Sequence, residues 1–426
     1  MSFRFVHAAD IHLDSPLRSL ALRAPQVADL IGTASRLVFA GIVDLCLAER
    51  VDALLLAGDL YDGDQTSMKT ARFLAEQLRR LHDAGIAVHV IRGNHDALSR
   101  ITRELVLPDN VHVYAGRAEA VTLPRPDGAV PVVLHGISFA EARMPESLLP
   151  KYQPATPGAV NIGLMHTSLG GAAGHDVYAP VGAAELGAWG YDYWALGHVH
   201  KPSRSIEGCT HVVMPGIPQG RDVGESGVRG VVLVTVGTDG RIAVEDRPTS
   251  LAEFARLTVD ATGCDDWRGL VDRVRRTLER ARDGAGSPHL VARLALTGAT
   301  PLAFRIRRDL DLLRVEAERA GEDAGRVWIE KLDSACHPPD EDASPADQGG
   351  PLAELRRLIA DEVLGGPHFT AELRDAADDL LRLLPADLRR RFGEDQAALD
   401  ATLAELARDG ADDVLAQLDP GAGNDA

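Results

Sequence analysis

Five times in the first 200 residues, a short apolar run stops at a small group of Asp, Asn and His. The runs are Phe3–Ala9, Ala53–Ala57, Ile86–Ile91, Val160–Met165 and Trp194–Leu196. The groups that follow are Asp10-Ile11-His12, Gly58-Asp59-Leu60-Tyr61-Asp62, Gly93-Asn94-His95-Asp96, His166-Thr167 and Gly197-His198-Val199-His200. Runs this short are buried strands rather than helices. Between them Ser67–Ala84 places Phe73, Leu74, Leu78 and Leu81 on one helical face. Strands alternating with amphipathic helices define an α/β fold in which helices cover sheets. Two further runs are Val130–Leu134 and Gly230–Val236, and the later strands, linked by short turns such as Thr238-Asp239-Gly240, predict that part of the sheet is antiparallel. Side chains at the carboxyl ends of such strands converge on one crevice, so the five groups have a common place to meet.

The residue types in those groups are metal ligands. Residues two apart on an extended chain point the same way, so Asp10 with His12, and His198 with His200, can each address one point. Together the groups supply the carboxylates Asp10 and Asp59, the amide oxygen of Asn94, the imidazoles of His12, His166, His198 and His200, and one spare histidine, His95. A cage of O and N donors without sulfur suits Mn, Fe or Zn rather than Mg or Ca. Two cations ~3.5–4 Å apart need a shared carboxylate, and Asp59 is the candidate. A lone DxH or HxH is ordinarily surface or core decoration. All five groups in this order, each at a strand end, are not.

Charge and cysteine usage bound the rest. The formal net charge of −18 argues against a nucleic-acid partner at first sight. Two divalent cations against two carboxylates leave the site at about +2, however, and clefts focus such fields. The four cysteines carry no CxxC pair, which excludes a thiolate zinc site and a disulfide framework as main themes. No uninterrupted apolar run approaches the ~20 residues that cross a bilayer, and the first residues lack the pattern of a secretory signal. A cytoplasmic protein without a membrane partner is the expectation.

Four segments are expected. Residues 1–250 carry the site. Residues 251–336 read as a small α/β cap: strand Ala255–Val259, helix Trp267–Ala281, strand Leu290–Leu296, helix Leu302–Glu318 and strand Arg326–Glu330. Residues 337–351, rich in Pro, Gly and acid, read as a flexible linker. Residues 352–420 are Leu-rich and amphipathic, with Leu373, Ala377, Leu380, Leu381 and Leu384 in a stripe. That stripe is either a bundle packing on itself or a docking surface.

The ordered set DxH, GDxxD, GNHD, H and GHVH resembles the calcineurin-like metallophosphoesterase superfamily. The wording of Phe5–Leu17 (FVHAADIHLDSPL), His175–Pro180 (HDVYAP), Tyr191–His200 (YDYWALGHVH) and Pro215–Asp222 (PGIPQGRD) is similar to the YhaO-type DNA-repair exonucleases. These in turn resemble the SbcD nuclease subunit that works with a coiled-coil, SMC-like ATPase. The resemblance implies a four-layer β-sandwich flanked by helices, with a cap domain and an ATPase-docking helical segment. It implies that Asp10, His12 and His200 hold one metal with bridging Asp59, and that Asn94, His166 and His198 hold the second. It leaves His95 unligated as the catalytic residue, and it implies a homodimer acting on DNA with two divalent ions, Mn(2+) first and Fe or Zn as alternatives. One departure is Asp62, where archaeal and eukaryotic relatives carry a histidine. His175 and Asp176 in a Gly-rich loop, and Arg221, are candidate substrate contacts; Lys201, Arg204, Arg229 and Arg247 are weaker ones. Two rival functions remain open: a phosphoesterase of nucleotides or cyclic nucleotides, and a non-catalytic scaffold anchoring the ATPase.

Overall fold

The computed structural model describes residues 2–15, 17, 20, 24–62, 67–97, 106–123, 125, 129–141, 143–171, 178–339, 351–393 and 395–418. His175, Asp176 and most of the expected linker lie outside them. So do Leu98, Ile101 and Leu105, which the sequence offers either as a dimer interface or as the buried face of a local helix.

Two six-stranded sheets build the first part of the chain. The strands are β1 (Phe3–Ala8), β2 (Ala53–Ala57), β3 (Ala87–Ile91), β4 (Val111–Val113), β5 (Glu119–Leu123), β6 (Val132–Gly136), β7 (Val160–His166), β8 (Tyr193–Gly197), β9 (Ser203–Glu207), β10 (Thr210–Met214), β11 (Gly230–Val236) and β12 (Ile242–Pro248). The first sheet runs β12-β11-β1-β2-β3-β4 and the second β5-β6-β7-β8-β10-β9. Strands β1 to β4 pair in parallel, with Ala8 opposite Leu56 and Ala57 opposite Ile91. In the second sheet β7 and β8 are parallel, with His166 opposite Gly197. Antiparallel β11 and β12 close the first sheet, as the Asp239-Gly240 turn predicts.

Period-two alternation sets the layers. On β2, Ala53, Leu55 and Ala57 join Phe5 of β1 and Ile162 and Leu164 of β7 in a core between the sheets. Leu54 and Leu56 face the other way. There they meet helices α1 (Pro25–Glu49) and α2 (Met68–Asp83) through Phe39, Ile42, Leu74 and Leu78. The outer face of the second sheet is covered by Phe139, Leu149, Tyr152 and Leu186 around Trp194. The result is the four-layer sandwich. Fully burying each of these large side chains contributes about 1.5–3 kcal/mol.

Helix α1 has no counterpart in the sequence reading. By length and composition it could cross a bilayer, yet Val38, Phe39, Ile42, Val43 and Cys46 pack under β1 and β2 and Val27 and Ile31 pack against Phe254. Burial on more than one side explains its weak amphipathic signal.

Beyond β12 come β13 (Ala252–Asp260), α3 (Trp267–Asp283), β14 (His289–Ala299), α4 (Leu310–Ala324) and β15 (Val327–His337), the strands forming a sheet of order β13-β14-β15. Helix α3 buries the stripe Leu270, Val274 and Leu278. The chain divides into two compact units: Met1–Arg256 with Arg282–Arg293 and Arg326–Lys331, and the remainder. The second unit ends in helices Pro351–Leu358, Pro367–Leu383 and Gln396–Leu418. In its Leu-rich stripe, Leu373, Ala377, Leu381 and Leu384 are half-buried and Leu380 is exposed.

Candidate metal centre

The strand ends deliver the groups to one place, and sharp bends after them aim the side chains. Asp10, His12, Asp59 and His198 have φ of 54°, 46°, 53° and 104°, a region that costs a non-glycine residue roughly 1–3 kcal/mol. Ties between loops hold them there. The amide of Asp10 donates to Gly58 O (3.0 Å) and that of His12 to Asp59 O (3.1 Å). The amide of His198 donates to both Asp10 oxygens, at 3.1 and 3.0 Å.

Two clusters result. The ligand atoms of Asp10, His12 and His200 lie within 4.8 Å of one another, as do those of Asp59, His166 and His198. In the first, His12 Nε2 is 3.2 Å from His200 Nε2. In the second, His166 Nε2 is 3.3 Å from Asp59 Oδ2 and 3.0 Å from Asn94 Oδ1. Asp59 Oδ2 is also 4.0 Å from His12 Nε2, so this carboxylate stands between the clusters. All seven metal-ligand candidates are thus brought together. Two glycines make the approach possible. A Cβ at Gly58 would sit 2.4 Å from His166 Nδ1, and one at Gly93 would sit 2.3 Å from Asp59 Oδ1 and 2.6 Å from His166 Nε2.

The outer contacts show that the donor set fits a cation pair. His12 Nδ1 meets Asp62 Oδ1 at 2.8 Å, His166 Nδ1 meets Ala57 O at 2.9 Å, and His200 Nδ1 meets Glu225 Oε1 at 2.5 Å. Each acceptor puts the ring proton on Nδ1 and leaves the Nε2 lone pair facing inward. Two such lone pairs 3.2 Å apart repel, and a cation between them reverses the sign of that interaction. Burial lowers the pKa of His12 against the opposing hydrogen bond to Asp62. Burial would lower His166 too, but the Asp59 carboxylate overrides it and raises the imidazole to about 9, so the proton on its Nε2 is the one a cation would displace. Asp59 stays ionised: burial opposes this, and His166 beside it holds the carboxyl well below the usual range.

His95 is placed differently. Its Nδ1 is 3.0 Å from Asp62 Oδ1, its side chain is 46% exposed, and its amide donates to Asp59 Oδ1 at 3.0 Å. Asp62 therefore serves two histidines, a role the sequence reading did not give it. Asp96 stood in a recognised motif without a role: it is buried and accepts from the amides of Gly93 (2.6 Å) and Leu60 (3.0 Å), locking two of the loops together. Glu225 was missed as well. Arg221 lies at the rim, its guanidinium 3.3 Å from both Glu225 Oε1 and His200 Nδ1. Lys201 is exposed. Arg204 is bound to Asp246 and Arg247 to Glu49 and Glu245. Arg229 is spent on the carbonyls of His200, Glu225 and Ser226.

A sandwich with this site is the calcineurin-like phosphoesterase arrangement, and residues 3–202 match the sequence model of that family. The chain belongs to the calcineurin-like metallophosphoesterases, a family of metal-dependent phosphoester hydrolases. Residues 254–337 match a second model, the middle domain of metallophosphoesterase YhaO. An uncharacterized metallophosphoesterase YhaO of Bacillus subtilis is 34% identical over 386 residues, covering 88% of this chain and 92% of that protein. The DNA double-strand break repair protein Mre11 of Methanopyrus kandleri is 25% identical, covering 77% of this chain and 75% of its own. The SbcD component of the nuclease SbcCD of Rhodobacter capsulatus is 32% identical over 142 residues, covering 32% of this chain and 31% of its own.

Proposed function

We propose that this chain is a two-metal phosphodiesterase that hydrolyses DNA ends, an exonuclease of DNA repair. Asp10, His12 and His200 would hold one cation, Asn94, His166 and His198 would hold the other, and Asp59 would be shared between them. Manganese is the metal proposed first. The observation that carries the reading is the pair of largely buried O/N clusters, one containing Asp59 and the other placing His12 4.0 Å from its carboxylate, with one half-exposed imidazole, His95, beside them.

Two bound divalent cations would neutralise the phosphate oxygens and acidify water for attack. The protein's own groups do the rest. His95, its Nδ1 proton held by Asp62, presents Nε2 to the leaving sugar oxygen and gives it a proton. Arg221 offers its guanidinium to a phosphate oxygen at the rim. Asn94, neutral where a carboxylate could stand, limits the negative charge that an incoming phosphodiester meets.

The DNA substrate is supported by the repair nucleases among the relatives and by the roughly 175 residues beyond the sandwich, for which a small-molecule phosphoesterase has little use. On the same resemblance we assign residues 251–336 as a cap, residues 337–351 as a linker, residues 352–420 as docking helices for a coiled-coil ATPase, and a cytoplasmic homodimer as the working form. Incubating the purified protein with Mn(2+) and labelled duplex or single-stranded DNA tests this. Progressive shortening that fails in His95→Ala, with metal content unchanged, is expected. Rapid hydrolysis of cyclic nucleotides with DNA left intact would overturn the assignment.

A further inference from the structure

His12 and His200 of one cluster and His166 of the other have different groups behind them. His166 in the Asp59 cluster is backed by a neutral carbonyl, Ala57 O. Both histidines of the Asp10 cluster are backed by carboxylates: His12 by Asp62, and His200 by Glu225 at 2.5 Å. Glu225 lies 25 residues beyond His200, in the 3-10 turn Val223–Glu225. Its carboxyl is held in place from several sides. Oε2 accepts the amide of Arg221 at 2.7 Å, Oε1 lies 3.3 Å from the Arg221 guanidinium, and the Glu225 carbonyl accepts from Arg229 at 3.2 Å. Arg229 also donates to His200 O at 2.9 Å, so the turn grips the residue it serves through both side chain and backbone. The Glu225 side chain is 13% exposed, which makes it a costly place for a charge without a task.

We infer that Glu225 is a positioning residue for His200: it fixes the Nδ1–H tautomer, aims Nε2 at the position shared with Asp10 and His12, and strengthens cation binding there and not at the Asn94/His166/His198 position. This rests on the two-metal reading above. A carboxylate behind a ligating imidazole makes its other nitrogen a stronger donor, and losing such a partner typically costs 10–100-fold in metal affinity.

The test is calorimetric titration of metal-free protein with Mn(2+), read together with the electron paramagnetic resonance spectrum of the bound ions. Wild type is expected to take up two ions. Glu225→Ala is expected to weaken one binding step about 10–100-fold while the other stays within about threefold. Glu225→Gln, which keeps an acceptor for Nδ1–H without the charge, is expected to recover part of the loss. It also serves as the near-isosteric variant should the alanine form fail to fold. Unchanged affinities in both variants, or equal loss at both steps, would overturn the role of Glu225 while leaving the two-metal reading intact. Failure of the wild type to bind Mn(2+) would remove both.

Discussion

His7 is buried between the two sheets, its Nδ1 3.0 Å from Tyr193 Oη and its Nε2 3.0 Å from Leu196 O. It therefore ties β1, which leads to Asp10, to β8, which leads to His198. Burial pushes its pKa down to about 3, against a hydrogen bond to Leu196 that opposes the shift. Between that value and the ordinary 6.5 the unfolded chain binds a proton that the folded chain refuses. Stability must therefore fall as pH drops through this window, starting near 6.5 and ending near 3. With 1.36 kcal/mol per unit, the loss from this one residue between pH 7 and pH 5 is about 2 kcal/mol. His7→Gln cannot titrate, so the stability difference between wild type and variant should shrink or reverse by that amount over the same interval. Taking the difference cancels the other titrating groups, including His89, which burial holds at about 4. Urea unfolding in EDTA, followed by tryptophan fluorescence, measures it; Trp189, Trp194 and Trp328 all lie in the catalytic unit. A difference that is the same at pH 7 and pH 5 would refute the reasoning.

Three further outcomes follow from the same contacts. Gly93→Ala should abolish metal uptake, since its Cβ would fall 2.3 Å from Asp59 Oδ1; normal metal content in a folded variant would contradict this. Asp62→Asn should weaken metal binding by about 10–100-fold through His12 and lower turnover at saturating metal through His95, both by calorimetry and by a timed DNA assay. Mn(2+) at about 100 times its dissociation constant should stabilise the protein by about 2.7 kcal/mol per site, read as a rise in the urea midpoint that EDTA reverses.

Strand ends leave a double mark in the sequence, an apolar run followed by a polar group, and this is why the residues that the structure gathers were legible. Asp10, His12, Asp59, Asn94, His166, His198 and His200 were picked out as candidate ligands from that mark, and their donor atoms lie together. The outer partners leave no such mark. Glu225 is a single acidic residue in an exposed stretch, joined to His200 only through the fold. Asp62 sat inside a recognised motif, but its service to both His12 and His95 depends on a distance that no spacing encodes. Helix α1 escaped because its apolar residues surround the helix instead of forming one stripe. The edge strands β4, β5 and β9 were passed over for the opposite reason: half-exposed residues dilute the apolar run that marks a buried strand.

The most direct measurement is the metal content of the purified protein and of Asp59→Ala after loading with excess Mn(2+) and desalting, by elemental analysis. A shared carboxylate predicts two ions per chain in the first and loss of both in the second. Two ions retained without Asp59, or none bound with it, would contradict the account.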